Sequence, residues 1–216
     1  MRKTFLAITL FLAFSKAALA QFGNCTASEM RTYVDSATGN TITMLTDTMK
    51  NDRFLYQTDP MWTADGKYLL FRSSSRGNDK EVESTLPNGE KRKWTPTQIY
   101  FIEMATGKII QATEGPNLGS AFLANKTNRM FVSRKEKENW NMYVMDLDKF
   151  FADVKQGKVG KPSAYETFIG TFPTEMGRPG GYAVDCNDDY AYITVEREGT
   201  EEELSLIHIS EPTRPY

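Results

Sequence analysis

Apolar residues in this sequence gather into short runs separated by turn chemistry, and the runs recur in a fixed order. In "DPMWTADGKYLLFRS" (59–73) a short apolar stretch enters an Asp65-Gly66 turn, and Tyr68-Leu69-Leu70-Phe71 leaves it. Aspartate and glycine tolerate the positive φ of a tight hairpin, so the pattern predicts two antiparallel strands. The same shape returns in "SAFLANKTNRMFVSR" (120–134), where Phe122 takes the place of Trp62 and Phe131 that of Phe71, 60 positions on. A third copy, "GYAVDCNDDYAYITVE" (181–196), carries Tyr192 a further 61 positions along.

The second half of the unit repeats as well. "QIYFIEMATGKIIQATEG" (98–115) reads as a strand, a Thr106-Gly107 turn and another strand. "NMYVMDLDKF" (141–150) begins the same way, with Tyr143 in the place of Tyr100, and "DSATGNTITMLTD" (35–47) holds only the turn and a final strand over 41–46. Each full unit therefore predicts four short antiparallel strands joined by hairpins, which is one blade of an all-β propeller. A β-sandwich of unrelated hairpins is the competing architecture, but sandwiches lack a turn signature at fixed period. A closed ring takes typically four to eight blades. An isolated final strand, two full units and the start of another make this chain, by expectation, a β-propeller truncated to its first three to four blades. The polar segment 73–97 interrupts the first unit and is expected to be an elaborated loop.

Both ends fall outside the repeat. "MRKTFLAITLFLAFSKAALAQ" has a basic start, an apolar run from Phe5 to Phe14, and small residues at Ala18 and Ala20 before Gln21. That is the three-part pattern of a secretory signal over residues 1–20, too short to span a bilayer, which needs about 20 apolar residues. The expectation is a periplasmic or secreted protein with no membrane span after cleavage. At the other end, "LSLIHISEPTR" breaks the strand pattern and looks like a translated transposase-type sequencing adapter. Residues 204–216 are therefore expected to be foreign, leaving 21–203 as the partial propeller.

Composition narrows the chemistry further. A formal charge of −2 with both signs interspersed argues against nucleic acid or an anionic membrane as the partner. Cys25 and Cys186 are too few to build a disulfide scaffold, and unpaired thiols are expected. The one histidine, His208, falls in the adapter-like tail, so residues 21–203 have no imidazole for proton transfer or metal binding. Ser73-Ser74-Ser75 consequently has no base to activate a nucleophile. Asp146 and Asp148 read as a strand-to-turn passage, and Asp185, Asp188 and Asp189 as a solvated hairpin without the ligand spacing of a calcium loop. No phosphate-binding glycine loop is present.

These residues resemble those of one family. "VDSATGNTITMLTDTMKNDRFLYQTDPMWTADGKYLLF" followed by "IYFIEMATGKIIQATEG" resembles the N-terminal part of oligogalacturonate lyases, polysaccharide lyase family 22, within the TolB-type propellers. The resemblance rests on Asp35, Thr38 and Gly39, on Leu45 and Thr46, on the pair Tyr56-Gln57, and on Gly66, Leu69, Leu70 and Phe71. Gln111, Thr113, Glu114 and Gly115 extend it, and "GYAVDCNDDYAYI" falls at the next inner hairpin. The Asp-Gly-Lys hairpin is shared with many TolB-type and prolyl-oligopeptidase-like propellers, so Tyr56-Gln57 and the opening Asp-x-x-Thr-Gly discriminate best. Asn51, Asp52 and Arg53 stand where family members tend to carry histidine and arginine, which is a departure.

The resemblance implies a seven-bladed propeller that cleaves short uronate oligosaccharides by β-elimination with a divalent metal, typically Mn2+. It also implies that the catalytic histidine and the metal ligands lie in later blades, so no catalytic or metal residue is expected in this chain. What remains are substrate contacts to an acidic oligosaccharide. Arg53, Tyr56 and Gln57 precede the first inner strand, and an arginine there can hold a carboxylate in a bidentate pair. A blade-to-blade contact is the favoured alternative role for Tyr56 and Gln57. Arg178, in "MGRPGGY", is the fourth candidate. A non-catalytic TolB-type binding propeller and the propeller domain of an exported prolyl-oligopeptidase-like peptidase are the alternative functions, because one fold hosts unrelated activities.

Overall fold

The run Tyr68-Leu69-Leu70-Phe71 is apolar on both sides of its pleat, which demands cover on both faces of whatever sheet contains it. In the computed structural model, which describes residues 22–77, 80–85, 88–172 and 179–195, that run lies in strand β5 (Tyr68–Ser73), buried at every position except Arg72. Its sheet runs β1 (Cys25–Thr26), β9 (Ile109–Gln111), β8 (Gln98–Glu103), β5, β4 (Asp52–Arg53), every neighbour antiparallel. The innermost strand is split. β4 pairs with the Arg72–Ser73 end of β5, while Trp62 bridges Leu69 and Leu70 N–H donates to the Met61 carbonyl at 2.7 Å. Between these two contacts the chain leaves the sheet through residues 54–60.

A second sheet orders β10 (Leu118–Leu123), β11 (Arg129–Glu136), β12 (Asn139–Asp146) and β13 (Glu166–Phe172), again antiparallel throughout. A third begins with the pair β14 (Pro179–Val184) and β15 (Ala191–Val195). The all-β architecture of successive antiparallel sheets, of five, four and two strands among the described residues, thus agrees with the reading of the sequence. One element does not. Asp146 and Asp148, expected in a strand-to-turn passage, open helix α1 (Leu147–Gln156) between β12 and β13. Asp146 caps it, accepting from Lys149 N–H at 3.0 Å, and Gly157 ends it at φ 65. Leu147, Phe150, Phe151 and Val154 then fall on one face, which packs into the core between the first two sheets. Among the described residues no helix is long and apolar enough to cross a membrane.

Strand pairing also corrects the repeat register. Trp62 opposite Leu69, Leu123 opposite Met130 and Val184 opposite Ala191 set a constant step of 61 residues. Phe71 therefore corresponds to Val132, not to Phe131. A one-residue slip moves a side chain to the other face of a sheet, and here it does so. Phe71 packs with Tyr100 and Ile102 on the face away from the second sheet, whereas Phe131 packs with Phe122 on the face toward Tyr182 and Val184 of the third.

The segment over 35–47 holds the expected turn and final strand, and the residues just before it supply that strand's partner. β2 (Arg31–Val34) and β3 (Thr41–Met44) form a hairpin of their own. Its turn repeats that of β8–β9: Gly39 N–H donates to Asp35 O at 2.8 Å and Gly107 N–H to Glu103 O at 2.7 Å, with both glycines at positive φ of 72 and 71. In both turns the threonine hydroxyl, Thr38 or Thr106, donates to the acidic side chain that opens the turn. The polar insertion after β5, expected as a loop, contains another hairpin, β6 (Val82–Thr85) with β7 (Lys91–Trp94). Cys25 and Cys186 are free and exposed. Residues 1–20 and 204–216, read as signal and adapter, lie outside the described residues.

Polar ties hold these units in order. Arg76, with its side chain 6% exposed, donates to both oxygens of Glu29 (2.9 and 2.6 Å) and both of Asp52 (2.8 and 2.6 Å). It fastens the segment before β2 to β4, and its guanidinium sits 5.3 Å from the Phe71 ring. Asp188, read from sequence as a solvated turn residue, instead accepts backbone N–H groups from Asn125, Lys126 and Thr127 and stitches the third sheet to the second. The tie between first and second is weaker, Asp65 N–H to Asn128 Oδ1 at 3.2 Å. Burial alone would raise the Asp65 carboxyl, but hydrogen bonds from Lys67 and Thr63 outweigh it and hold it at about 2.

Two outcomes follow from these ties. Arg76→Ala leaves two carboxylates facing each other without their cation, and should cost about 3 kcal/mol in urea unfolding; an unchanged midpoint would refute the clamp. Because the Asp65 pKa lies below its ordinary 3.8, its contribution is complete above about pH 4 and lost as pH falls toward 2. Asp65→Asn should therefore flatten the acid limb of a stability–pH profile across that window.

Candidate functional site

Arg53 and Arg72 stand directly opposite each other on β4 and β5. Opposite residues of an antiparallel pair share a face, and both arginines line one cleft of about 1050 Å3. The cleft lies where the innermost strands of all three sheets come together. The first sheet contributes Arg53, Arg72 and, from the excursion between its split halves, Tyr56 and Asp59; the inserted hairpin adds Arg92 and Trp94. From the second sheet come Lys135 and Trp140, and from the third Tyr182. Gly119 also faces it, and a larger residue there would force its neighbours to shift: a Cβ would lie 2.5 Å from Ser133 Oγ and 2.6 Å from the Trp140 ring. Ser133 is itself fixed by Ser120 N–H and by the Tyr182 hydroxyl, at 2.9 and 2.7 Å.

Charge in this cleft is unbalanced. Arg53, Arg72, Arg92 and Lys135 make no salt bridge among the described residues, where seven other ion pairs are formed. The lining carboxylate is Asp59, whose pKa burial pushes up while the Arg72 charge pulls it back. Four basic side chains and exposed aromatic faces make a surface for an anionic ligand with a flat apolar side. A sugar acid has both features.

The structure brings Arg53 and Tyr56 together on this surface. Tyr56 is 64% exposed, so it is presented to solvent and does not serve as a packing anchor. Gln57 is exposed beside it but does not line the cleft. Arg178 lies outside the described residues. Sequence reasoning missed Arg72, Arg92, Trp94, Lys135 and Trp140. The signals were present: Arg72 is the one charged position in an otherwise buried strand, and Arg92 and Trp94 alternate along β7 with period two.

A second cavity, of about 800 Å3, runs along the hairpin turns past Asp65, Asn128, Asp146 and Asp148. Its carboxylates are committed to structure: Asp146 caps α1 and Asp148 accepts from Asn128 Nδ2 at 2.7 Å. A divalent ion such as manganese selects carboxylate and imidazole donors. Among the described residues no group of three or more His, Cys, Asp or Glu side chains converges to hold one, so these residues do not fit a metal.

Like charges placed opposite each other in a sheet are destabilising. Arg72→Thr should consequently raise stability by about 0.5 kcal/mol, read as a higher urea midpoint; a loss would mean that the two guanidinium groups do not repel.

No protein-family model matches the chain, and no curated protein matches it. Among solved structures it is similar to an oligogalacturonate lyase in complex with manganese, with a TM-score of 0.52 and 20% identity, covering 77% of this chain and 35% of that one. It is equally similar to an oligogalacturonate lyase from Vibrio parahaemolyticus, with a TM-score of 0.52, 21% identity and the same coverage. At this identity the likeness is one of fold, and the chain spans 35% of the length of these structures.

Proposed function

We propose that this chain is the N-terminal part of an exported, oligogalacturonate lyase-like propeller acting on short uronate oligosaccharides in the periplasm or outside the cell. The observation that carries the reading is the cleft itself, with four basic side chains that form no ion pair among the described residues and aromatic faces alongside. In β-elimination a base takes the proton α to the uronate carboxylate, the neighbouring glycosidic C–O bond breaks and a C=C bond forms. That proton is weakly acidic, and a cation paired with the carboxylate stabilises the charge that develops as it leaves. In this reading Arg53 and Arg72 pair with the carboxylate and Tyr56 contacts the ring. A divalent metal such as manganese, and the base, belong to the part of the protein beyond this chain. The fold likeness to a lyase–manganese complex supports the metal.

The test is ultraviolet absorbance of the unsaturated uronate product. The full-length protein with manganese should release it from oligogalacturonate, and residues 21–203 alone should release none. No product from any acidic oligosaccharide would overturn the reading, and product from 21–203 would move the reacting groups into this chain.

A further inference from the structure

The first and second sheets differ most in one connection. β11 and β12 are joined by a tight turn at Lys137–Glu138, whereas β5 and β8 are separated by residues 74–97, within which β6 and β7 pair. The cores of both sheets close without such an arm, so its presence needs a reason other than packing. On β7, Arg92 and Trp94 are two residues apart and share a face, and both line the cleft together with Ser84, the partner of Arg92 on β6. Lys91 and Lys93 lie on the other face of the strand and do not line it. Lys91 pairs with Glu83 at 2.7 Å. Arg92, the cation that faces the cleft, makes no salt bridge among the described residues, and neither does Lys93 on the far face.

We infer that the β6–β7 hairpin is a substrate-binding arm that adds a sugar-acid subsite to the cleft, Arg92 taking one carboxylate and Trp94 stacking on the pyranose of the same unit. The inference rests on the acidic-oligosaccharide reading. It deepens that reading by separating two anion positions, the Arg53–Arg72 pair on the sheet and Arg92 on the arm. A guanidinium binds a carboxylate through two parallel N–H···O bonds, and an indole offers a broad apolar face to the C–H side of a sugar ring. A monosaccharide acid needs the sheet position alone. An oligomer bearing successive carboxylates reaches both, so the arm selects for length as well as charge.

Calorimetric titration of the full-length protein with galacturonate oligomers of one to three units, a neutral galactose trimer and a sulfated trimer tests this. Arg92→Ala and Trp94→Ala should each weaken trimer binding by about tenfold, the loss expected for one charge-assisted contact, and leave monomer binding unchanged. Lys93→Ala, on the opposite face of the same strand, should change neither, and Arg92→Lys should recover part of the loss. The neutral trimer should not bind. Sulfated trimer binding as tightly as the uronate would overturn the carboxylate assignment. Trimer binding that is indifferent to Arg92 and Trp94 would overturn the arm while leaving the acidic-oligosaccharide reading intact. Failure of the unaltered protein to bind any uronate oligomer would overturn that reading itself.

Discussion

The first two sheets of this chain are each apolar on both faces, and that single constraint organises the rest. Tyr68 and Leu70 look to one side of β5 and Leu69 and Phe71 to the other, all at most 5% exposed. Full burial of one such side chain is worth about 1.5–3 kcal/mol, so neither face can be left to water. The first face is covered by Leu123, Met130 and Val132 of the second sheet and by Phe150 and Phe151 of the helix, with Phe151 stacked 3.6 Å from Tyr68. The second sheet in turn offers Phe122 and Phe131 to the third, where Tyr182 stacks 4.8 Å from Phe122. A sheet that needs a sheet on each side propagates, and propagation at a constant step of 61 residues makes the repeat.

That reasoning also explains what could be read without coordinates. Turn chemistry is local, so Asp65-Gly66 and Thr106-Gly107 disclosed the hairpins, and a fixed interval between them disclosed the blades. Register is not local. Phe71 and Phe131 look equivalent as aromatic residues ending an apolar run, yet strand pairing sets Phe71 level with Val132. In a doubly buried strand both faces are apolar, so the sequence has no polar alternation from which to tell them apart. The helix was legible in principle, from Asp146 as cap, apolar residues at 147, 150, 151 and 154, and Gly157 as stop, but the expectation of a fourth strand overrode those signals.

The candidate site was legible only in part for a related reason. Arg53 and Tyr56 drew notice because they precede an inner strand, which fixes their position along the chain. Arg72, Arg92, Lys135 and Trp140 come from four separate strands, and nothing local in sequence says that those strands converge. The split of the innermost strand matters here. Residues 54–60 leave the sheet between two points of pairing, and that excursion places Tyr56 and Asp59 beside arginines that regular pairing would have kept apart from them.

Two ways of treating arginine in this chain bear on what the cleft is for. Arg76 is buried, fully engaged by two carboxylates, and serves to hold neighbouring elements together. Arg53 and Arg72 are exposed, face each other across a strand pair, and form no salt bridge among the described residues, although the Arg72 charge is felt at Asp59. Stability alone favours the first arrangement and disfavours the second, since a threonine or valine suits that strand position better than a second guanidinium. Carboxylates are also plentiful in this sequence, with 28 acidic residues against 26 basic ones, so partners were available to fold against these arginines. Their placement in a concave, aromatic-edged surface is therefore a local cost offset elsewhere by packing. An anionic ligand seated between them would remove the repulsion and be held by it in reverse.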